Sequence, residues 1–424
     1  MATKQGCNGN ANGNKVIVKP GGTINNSGIF GGSVDGDGNA HGNIVYVDGG
    51  VISDTIYGGS VGGDGNAHGN MININDSEVY LCVYGGWINN SGNANDNTII
   101  INKSTIENTV AGGLADTANK NTVTITDSTI NGDVEGGEAH IGNANNNNVK
   151  ISGSNLVDGG SNSVYGGKVN TKGDANENSV IIFGGTVRDN VYGGYTASGN
   201  ANGNIVSITG GTIKSDVHGG QASDGDASGN IININNSTLL STVIAGYVAS
   251  DGNANSNKLS ITGGSVTGDV YGGWVASNLG DANYNTVVLT DVTVHSSVFG
   301  SDSIADNANH NKVTIIGGTI DGDVYGGYNE YSGDSINNTI TIIGDVRFAN
   351  TSGLYGGYDA DSNGGDAFSG NTLNIASAGL SLGNVANFEN YNFYLTDANI
   401  NNAAAVLNLQ ASSNTNLDKA KINA

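Results

Sequence analysis

Asn311-Lys312-Val313-Thr314-Ile315-Ile316-Gly317-Gly318-Thr319-Ile320-Asp321-Gly322-Asp323-Val324-Tyr325-Gly326-Gly327 decides the fold of this chain. It opens on an Asn, alternates polar with aliphatic residues, turns at a Gly pair and returns to a single aliphatic residue. It then closes on an aliphatic residue, an aromatic and a small pair. The closing motif recurs thirteen times, with the first small residue at 31, 58, 85, 112, 136, 166, 193, 219, 245, 272, 300, 326 and 356. The steps are 24 to 30 residues, most of them 26 to 28. A fixed period in this range marks a solenoid, in which each unit buries its apolar face only by stacking on its neighbours.

The opening Asn is equally regular: 14, 43, 70, 97, 121, 147, 178, 204, 230, 257, 285, 311, 338 and 371. Behind it run pairs such as Val45/Val47, Ile72/Ile74, Val123/Ile125, Val206/Ile208 and Val313/Ile315. A period of two with one apolar face is a β-strand signature. Turns follow, such as Asp127-Ser128 or Gly184-Gly185, and then a further inward aliphatic such as Ile52, Ile106, Val187 or Ile320. Each repeat therefore holds three short strands separated by Gly, Asn and Asp turns.

The expected fold is all-β: a single-stranded parallel β-helix of about 13–14 coils, expected right-handed, with a C-terminal β cap. Residues 1–13 read as an N-terminal cap or start, 14–375 as the repeats, and 376–424 as a C-terminal β segment. At about 4.8 Å per coil the rod would be on the order of 60–70 Å long. The Asn column is expected to stack amide on amide at a bend. The Ala three residues earlier (Ala40, Ala67, Ala94, Ala201, Ala254) fits a tight corner.

Charged residues are only 12% of the chain, and the formal net charge is −23. Nucleic acid and anionic bilayers are poor partners for such a surface, since phosphate binding needs a basic footprint. No run of 18 apolar residues exists, so no membrane contact is expected of this fragment. Met1-Ala2-Thr3-Lys4 carries no apolar secretion signal. Cys7 and Cys82 lie almost three coils apart, beyond disulfide reach, and are expected as free thiols.

The repeat text at 311–327, and more specifically the tail Gly383-Asn384-Val385-Ala386-Asn387-Phe388-Glu389-Asn390-Tyr391-Asn392-Phe393-Tyr394-Leu395, resembles a known family. It is similar to the passenger domains of monomeric, type V autotransporter adhesins of Gram-negative anaerobes, fusobacterial ones in particular. The likeness covers roughly residues 8–375 plus the tail. It implies Sec export, translocation through a C-terminal β-barrel and display outside the outer membrane. No series of amphipathic barrel strands precedes Ala424, so an ectodomain is expected. The implied role is adhesion to host cells or partner bacteria, by a monomer, through a surface protein or glycan.

Enzymes are the rival class for a parallel β-helix, and their chemistry needs clustered carboxylates with a basic partner. The only arginines are Arg188, read as a surface residue, and Arg347, which local slippage towards Phe348 explains. Acidic residues spread through the turns, no repeat gathers His, Asp and Lys together, and the histidines read as surface residues. No catalytic residue, metal or cofactor is expected. Asp37/Asp64 and Asp224/Asp251 occupy equivalent turns where Ca²⁺ would fit. The calcium β-roll nonapeptide is missing, so solvated turns are the preferred reading.

The candidate binding surface is aromatic. A first column precedes the small pair: Tyr57, Tyr84, Tyr192, Tyr271 and Tyr325, together with Phe30, Tyr165, Phe299 and Tyr355. Because Glu135 and His218 share it, it is expected to face water. A second column follows the pair: Trp87, Tyr195, Tyr247, Trp274, Tyr328 and Tyr358, interrupted by Ser33, Lys168 and Asp302. Self-stacking that reinforces register is the expectation for the first column; the second varies as a binding face varies. A stalk, a self-associating biofilm protein and a glycan-degrading enzyme are the alternatives to an adhesin.

Overall fold

With a side-chain period of two, each alternating stretch must hide one face, and a coil that closes on itself hides it inside. The computed structural model shows this closure. It describes residues 4–5, 8–156, 162–360, 364–377, 379–394, 405–410, 417 and 419–423. The chain divides into two compact units, 1–214 and 215–424. Each is all-β parallel β-helix, and together they hold roughly a dozen coils.

A coil of the first unit runs through strands Ile44–Asp48, Val51–Ile52, Ile56–Val61 and Gly65–His68. Each pairs in parallel with its equivalent in a neighbouring coil: Val45 with Ile72, Ile52 with Val79, Ile56 with Val83, Ala67 with Ala40. The first three give the expected three strands per repeat. The fourth forms a small sheet confined to Gly9–Asn10, Gly38–His41, Gly65–His68 and Gly92–Asn93. There Gly38, Gly65 and Gly92 adopt φ of 151°, 153° and 149°, and a Cβ on any of them would overlap a carbonyl of the preceding coil. Val45, Val47, Ile72 and Ile74 are at most 1% exposed, as the alternation requires. Each such side chain contributes about 1.5–3 kcal/mol by leaving water.

The Asn column forms the expected ladder. In the first unit, Asn70 Nδ2 donates to Asn97 Oδ1 at 3.0 Å and Asn97 Nδ2 to Asn121 Oδ1 at 3.1 Å. The same oxygens accept the backbone N–H of Asn70 and Asn97. The second amide hydrogen goes to the Ala column: Asn97 donates to the Ala67 carbonyl and Asn121 to that of Ala94, both at 2.9 Å. The buried amides of Asn97 and Asn121 are thereby satisfied within the protein, by a side chain that donates and accepts at once.

The second unit repeats the scheme with strands such as Ile231–Asn235, Thr238–Leu239 and Val243–Val248. Val313 and Ile315 are fully buried. In Lys312–Ile320 and Thr339–Phe348 the first two strands of the coil merge, and their pairing shifts register after Ile316. Past the shift, Val346 turns inward, Arg347 is exposed and Phe348 pairs with Ile320, which is the slippage expected at Arg347. The end of this unit is less regular. Asn390–Phe393 pairs on Thr372–Ala376, while Leu380–Leu382 and Leu407–Leu409 make a separate two-stranded sheet. Phe388 and Tyr391 from the tail are 1% and 3% exposed and close the core. Cys82 is a half-buried free thiol; Cys7, Leu395 and parts of 1–13 and 376–424 lie outside the described residues.

Candidate functional site: paired aromatic columns

Val83-Tyr84-Gly85-Gly86-Trp87-Ile88 shows how the columns are built. Val83 and Ile88 point inward, and the chain bends between them at the Gly pair. A Cβ on Gly85 would strike the Gly112 carbonyl and Asn97; one on Gly86 would strike the Ala67 carbonyl and Asn97. The small pair is therefore a consequence of the Asn ladder packed directly behind it. With nothing standing on the glycines, Tyr84 and Trp87 flank a bare bend, and rings of the two columns meet edge to face over it, as Trp87 does on Tyr57 at 5.7 Å and 63°.

The first column stacks as expected. In the first unit Phe30 lies on Tyr57 at 4.9 Å and Tyr165 on Tyr192 at 4.9 Å. In the second unit Tyr271, Phe299, Tyr325 and Tyr355 stack in series at 4.5, 4.9 and 5.0 Å. Its expected exposure is wrong. Tyr192, Tyr271 and Phe299 are only 8–9% exposed, and Tyr57, Tyr84 and Tyr325 are half-buried. The two residues that suggested a wet column, Glu135 and His218, are 1% and 5% exposed. The second column leans over the first and covers it. Burial lowers His218 to about 4, so at neutral pH it packs as an uncharged ring against Tyr247 at 5.8 Å. Burial likewise raises the phenols of Tyr84, Tyr271 and Tyr325 and pushes Tyr165 up to about 12.

Trp87, Tyr195, Tyr247, Trp274, Tyr328 and Tyr358 are all half-buried, with part of each ring open. Tyr195 sits edge-on to Tyr192 at 5.5 Å. Tyr247 packs on Trp274 at 5.0 Å, and Tyr328 stacks on Tyr358 at 5.2 Å. Asp302 pairs between Trp274 and Tyr328 in this register. Burial, then repulsion from Glu330 and Asp269, pushes its carboxyl up to about 8.

Charge does gather where two neighbouring coils meet, although neither repeat alone collects it. Glu135 holds the first-column position, Glu138 the second, and Lys168 the second in the next coil. Lys168 Nζ lies 2.7 Å from Glu135 Oε1, 3.6 Å from Glu138 Oε1 and 4.0 Å from Asp133 Oδ2. Burial, with repulsion from Glu138, holds Glu135 well above the usual carboxylate range while Lys168 opposes. Despite its own burial, Glu138 is drawn down by Glu135 and Lys168. Lys168 also lies 4.9 Å over the Tyr165 ring. The sequence carried the signal: two consecutive column positions become acidic just before a lysine enters the second.

Turn acids find donors instead of each other. Asp37 Oδ1 accepts the backbone N–H of Asp64 at 2.9 Å, and Asp64 Oδ1 accepts from Asn90 Nδ2 at 2.6 Å. Among the described residues no group of three or more His, Cys, Asp or Glu is placed to hold a metal ion. His41 stacks on His68 in the small fourth sheet and His310 on Tyr284 at bends, outside the columns. A cleft of about 230 Å³, absent from the sequence reading, is lined by Phe30, Ser33, Val34, Asp35, Ser60, Gly62 and Trp87.

Fold and surface together define a class: a parallel β-solenoid scaffold bearing paired aromatic columns. Compared with known proteins, the chain matches no family model, no curated protein sequence and no solved structure.

Proposed function

We propose that this chain is the ectodomain of a cell-surface adhesin, displayed outside an outer membrane as a monomeric, non-catalytic passenger. It attaches to a protein or glycan on host cells or partner bacteria. The observation that carries this reading is the second aromatic column: six large rings, half-buried and braced by the rings beneath them. Pre-positioned Tyr and Trp contribute large contact area at little entropic cost, and such residues dominate binding energy. The resemblance of the repeat and the tail to autotransporter passengers supports the location.

The test immobilises the protein and probes intact host cells, partner bacteria and a glycan array. Trp274→Ala is expected to weaken attachment by at least about 30-fold, a hot-spot loss of about 2 kcal/mol, with the β circular dichroism unchanged. Attachment that survives joint replacement of Trp87, Tyr195, Tyr247 and Trp274 by Ala removes this face from the reading. No partner at all would favour a stalk, and release of cleaved sugars an enzyme.

A further inference from the structure

We infer that Lys168 and Glu135 condense to an intramolecular isopeptide bond, an amide from Lys168 Nζ to Glu135 Cδ that staples two neighbouring coils of the first unit. The inference goes beyond the adhesive reading and holds whatever the surface attaches to. Contact, a proton relay and the exclusion of water carry it.

The contact is not a simple register pair. Strands Val134–Ala139 and Val164–Val169 set Glu138 beside Lys168 and Glu135 beside Tyr165. Lys168 reaches diagonally past its register partner, so that Nζ lies 2.7 Å from Glu135 Oε1 and 3.6 Å from Glu138 Oε1. The nucleophilic nitrogen thus rests against the carboxyl it attacks. Holding two reacting groups in contact is worth an effective concentration of about 10⁵ M or more.

The two carboxyls stand in different states. Glu135 is 1% exposed, and its buried Oε2 accepts no hydrogen bond. Burial, then repulsion from Glu138, raises its carboxyl and favours the uncharged acid, which an amine can attack as it cannot attack a carboxylate. Glu138 is drawn down, despite its own burial, by Glu135 and Lys168, and Asn170 Nδ2 donates to its Oε1 at 2.7 Å. Two carboxyls pushed apart in this way divide the work of acid and base. Burial works against the charge of Lys168, but Glu135 and Glu138 outweigh it, so the resting side chain is an ammonium. It must lose a proton before it attacks, and Glu138 is placed to take it.

The step balances without an oxidant or a co-reactant. Glu138 takes one proton from the Lys168 ammonium, and the freed lone pair forms the N–C bond to Glu135 Cδ. Glu138 returns that proton to the Glu135 hydroxyl as the C–O bond breaks and water leaves. It then takes the surplus proton from nitrogen, leaving a neutral amide and a protonated Glu138. Each chain reacts once, so this is self-modification and not turnover. The Tyr165 ring, 4.9 Å from Nζ, and the burial of Glu135 keep bulk water from reversing the bond. The staple falls where Ala111 and Leu114 hold the column positions of the preceding coil, so neighbouring rings do not brace it there.

Intact-mass spectrometry of the unfolded full chain reads the bond directly. The expected mass is about 18 Da below that of the sequence, one water lost. Proteolysis is expected to release a branched peptide joining residues 135 and 168, which separates the bond from a cyclised Asp-Gly turn that loses the same water. Lys168→Met and Glu135→Ala are expected at full mass. Glu138→Gln keeps both bonding groups and removes only the base, and is expected to leave most of the chain unbonded, with its β circular dichroism unchanged. A folded parent chain at full mass, or a water loss mapped to peptides other than these, overturns the inference. Undiminished bonding in Glu138→Gln overturns the relay. The mass of the parent decides the bond even where a variant does not fold.

Discussion

The two units are built on the same scheme and differ in what they stand on it. In the second unit Tyr247, Trp274, Tyr328 and Tyr358 carry the outer column, and Tyr271 to Tyr355 stack without a break beneath. In the first unit the rings fall into two tracts, Phe30 to Trp87 and Tyr165 to Tyr195, separated by Ala111, Leu114, Glu135 and Glu138. Behind both runs the same amide ladder. The ladder runs on where the rings stop, and the surface positions vary: to serines beside a cleft, or to acids that recruit a lysine.

The largest expected effect tests the shared scheme. Asn121→Ala removes the oxygen that accepts the Asn97 backbone and amide N–H at 2.9 and 3.1 Å, and orphans the Ala94 carbonyl. Asn285→Ala does the same to Asn257 and Ala254 in the second unit. Each leaves several buried groups unpaired, so each should lose about 3–4 kcal/mol by urea denaturation. Equal losses would show that the ladder carries register in both units. A much smaller loss in the second would mean that its unbroken rings share the work.

Much of this was legible from the chain. Period two behind a fixed Asn left one way to bury Val45, Val47, Val313 and Ile315, and the Asn itself had no other reason to recur. What eluded the sequence was depth. Alternation gives the direction of a side chain relative to its own strand, and Glu135 and His218 do meet second-column residues, Lys168 and Tyr247, rather than the aliphatic core. It does not tell whether a neighbouring column folds over them. That depends on a bend at two glycines, which brings positions three residues apart to the same side. The Phe30–Trp87 cleft was hidden for the same reason, since Ser33 read only as a gap in a column and Ser60 was not singled out.

The charged interruption of the first unit gives the next effect. Lys168→Met leaves Glu135 buried without its partner at 2.7 Å. Removing one member of a buried pair costs about 3 kcal/mol or more. Glu135 is already raised by burial, and loss of Lys168 raises it further. A carboxyl raised in the folded state stabilises fully below its unfolded value, and that stability is lost as pH rises through the folded one. The variant should therefore be weakest at neutral pH and recover towards the parent as pH falls towards the ordinary Glu range. Thermal melts from pH 4 to 8 read this directly. A pH-independent loss would mean that the lysine acts by packing over Tyr165 rather than by charge.

The second unit offers the opposite sign and the smallest effect. Asp302 stands in the outer column between Trp274 and Tyr328, and its carboxyl is pushed up to about 8, first by burial and then by Glu330 and Asp269. Between its unfolded value near 4 and about 8, the folded chain holds a proton that the unfolded chain has released, so stability falls as pH rises across that window. Above it, the folded state carries a desolvated charge. Asp302→Asn keeps the shape and removes the charge, and should stabilise the protein above pH 8. Since the residue is only half-buried, the gain is about 2 kcal/mol rather than the full value of the shift. The advantage should shrink steadily and vanish below about pH 4, where both chains are neutral at this position. A constant gain at every pH would assign the effect to side-chain packing, and the acid would then be an incidental gap in the column rather than a strained part of it.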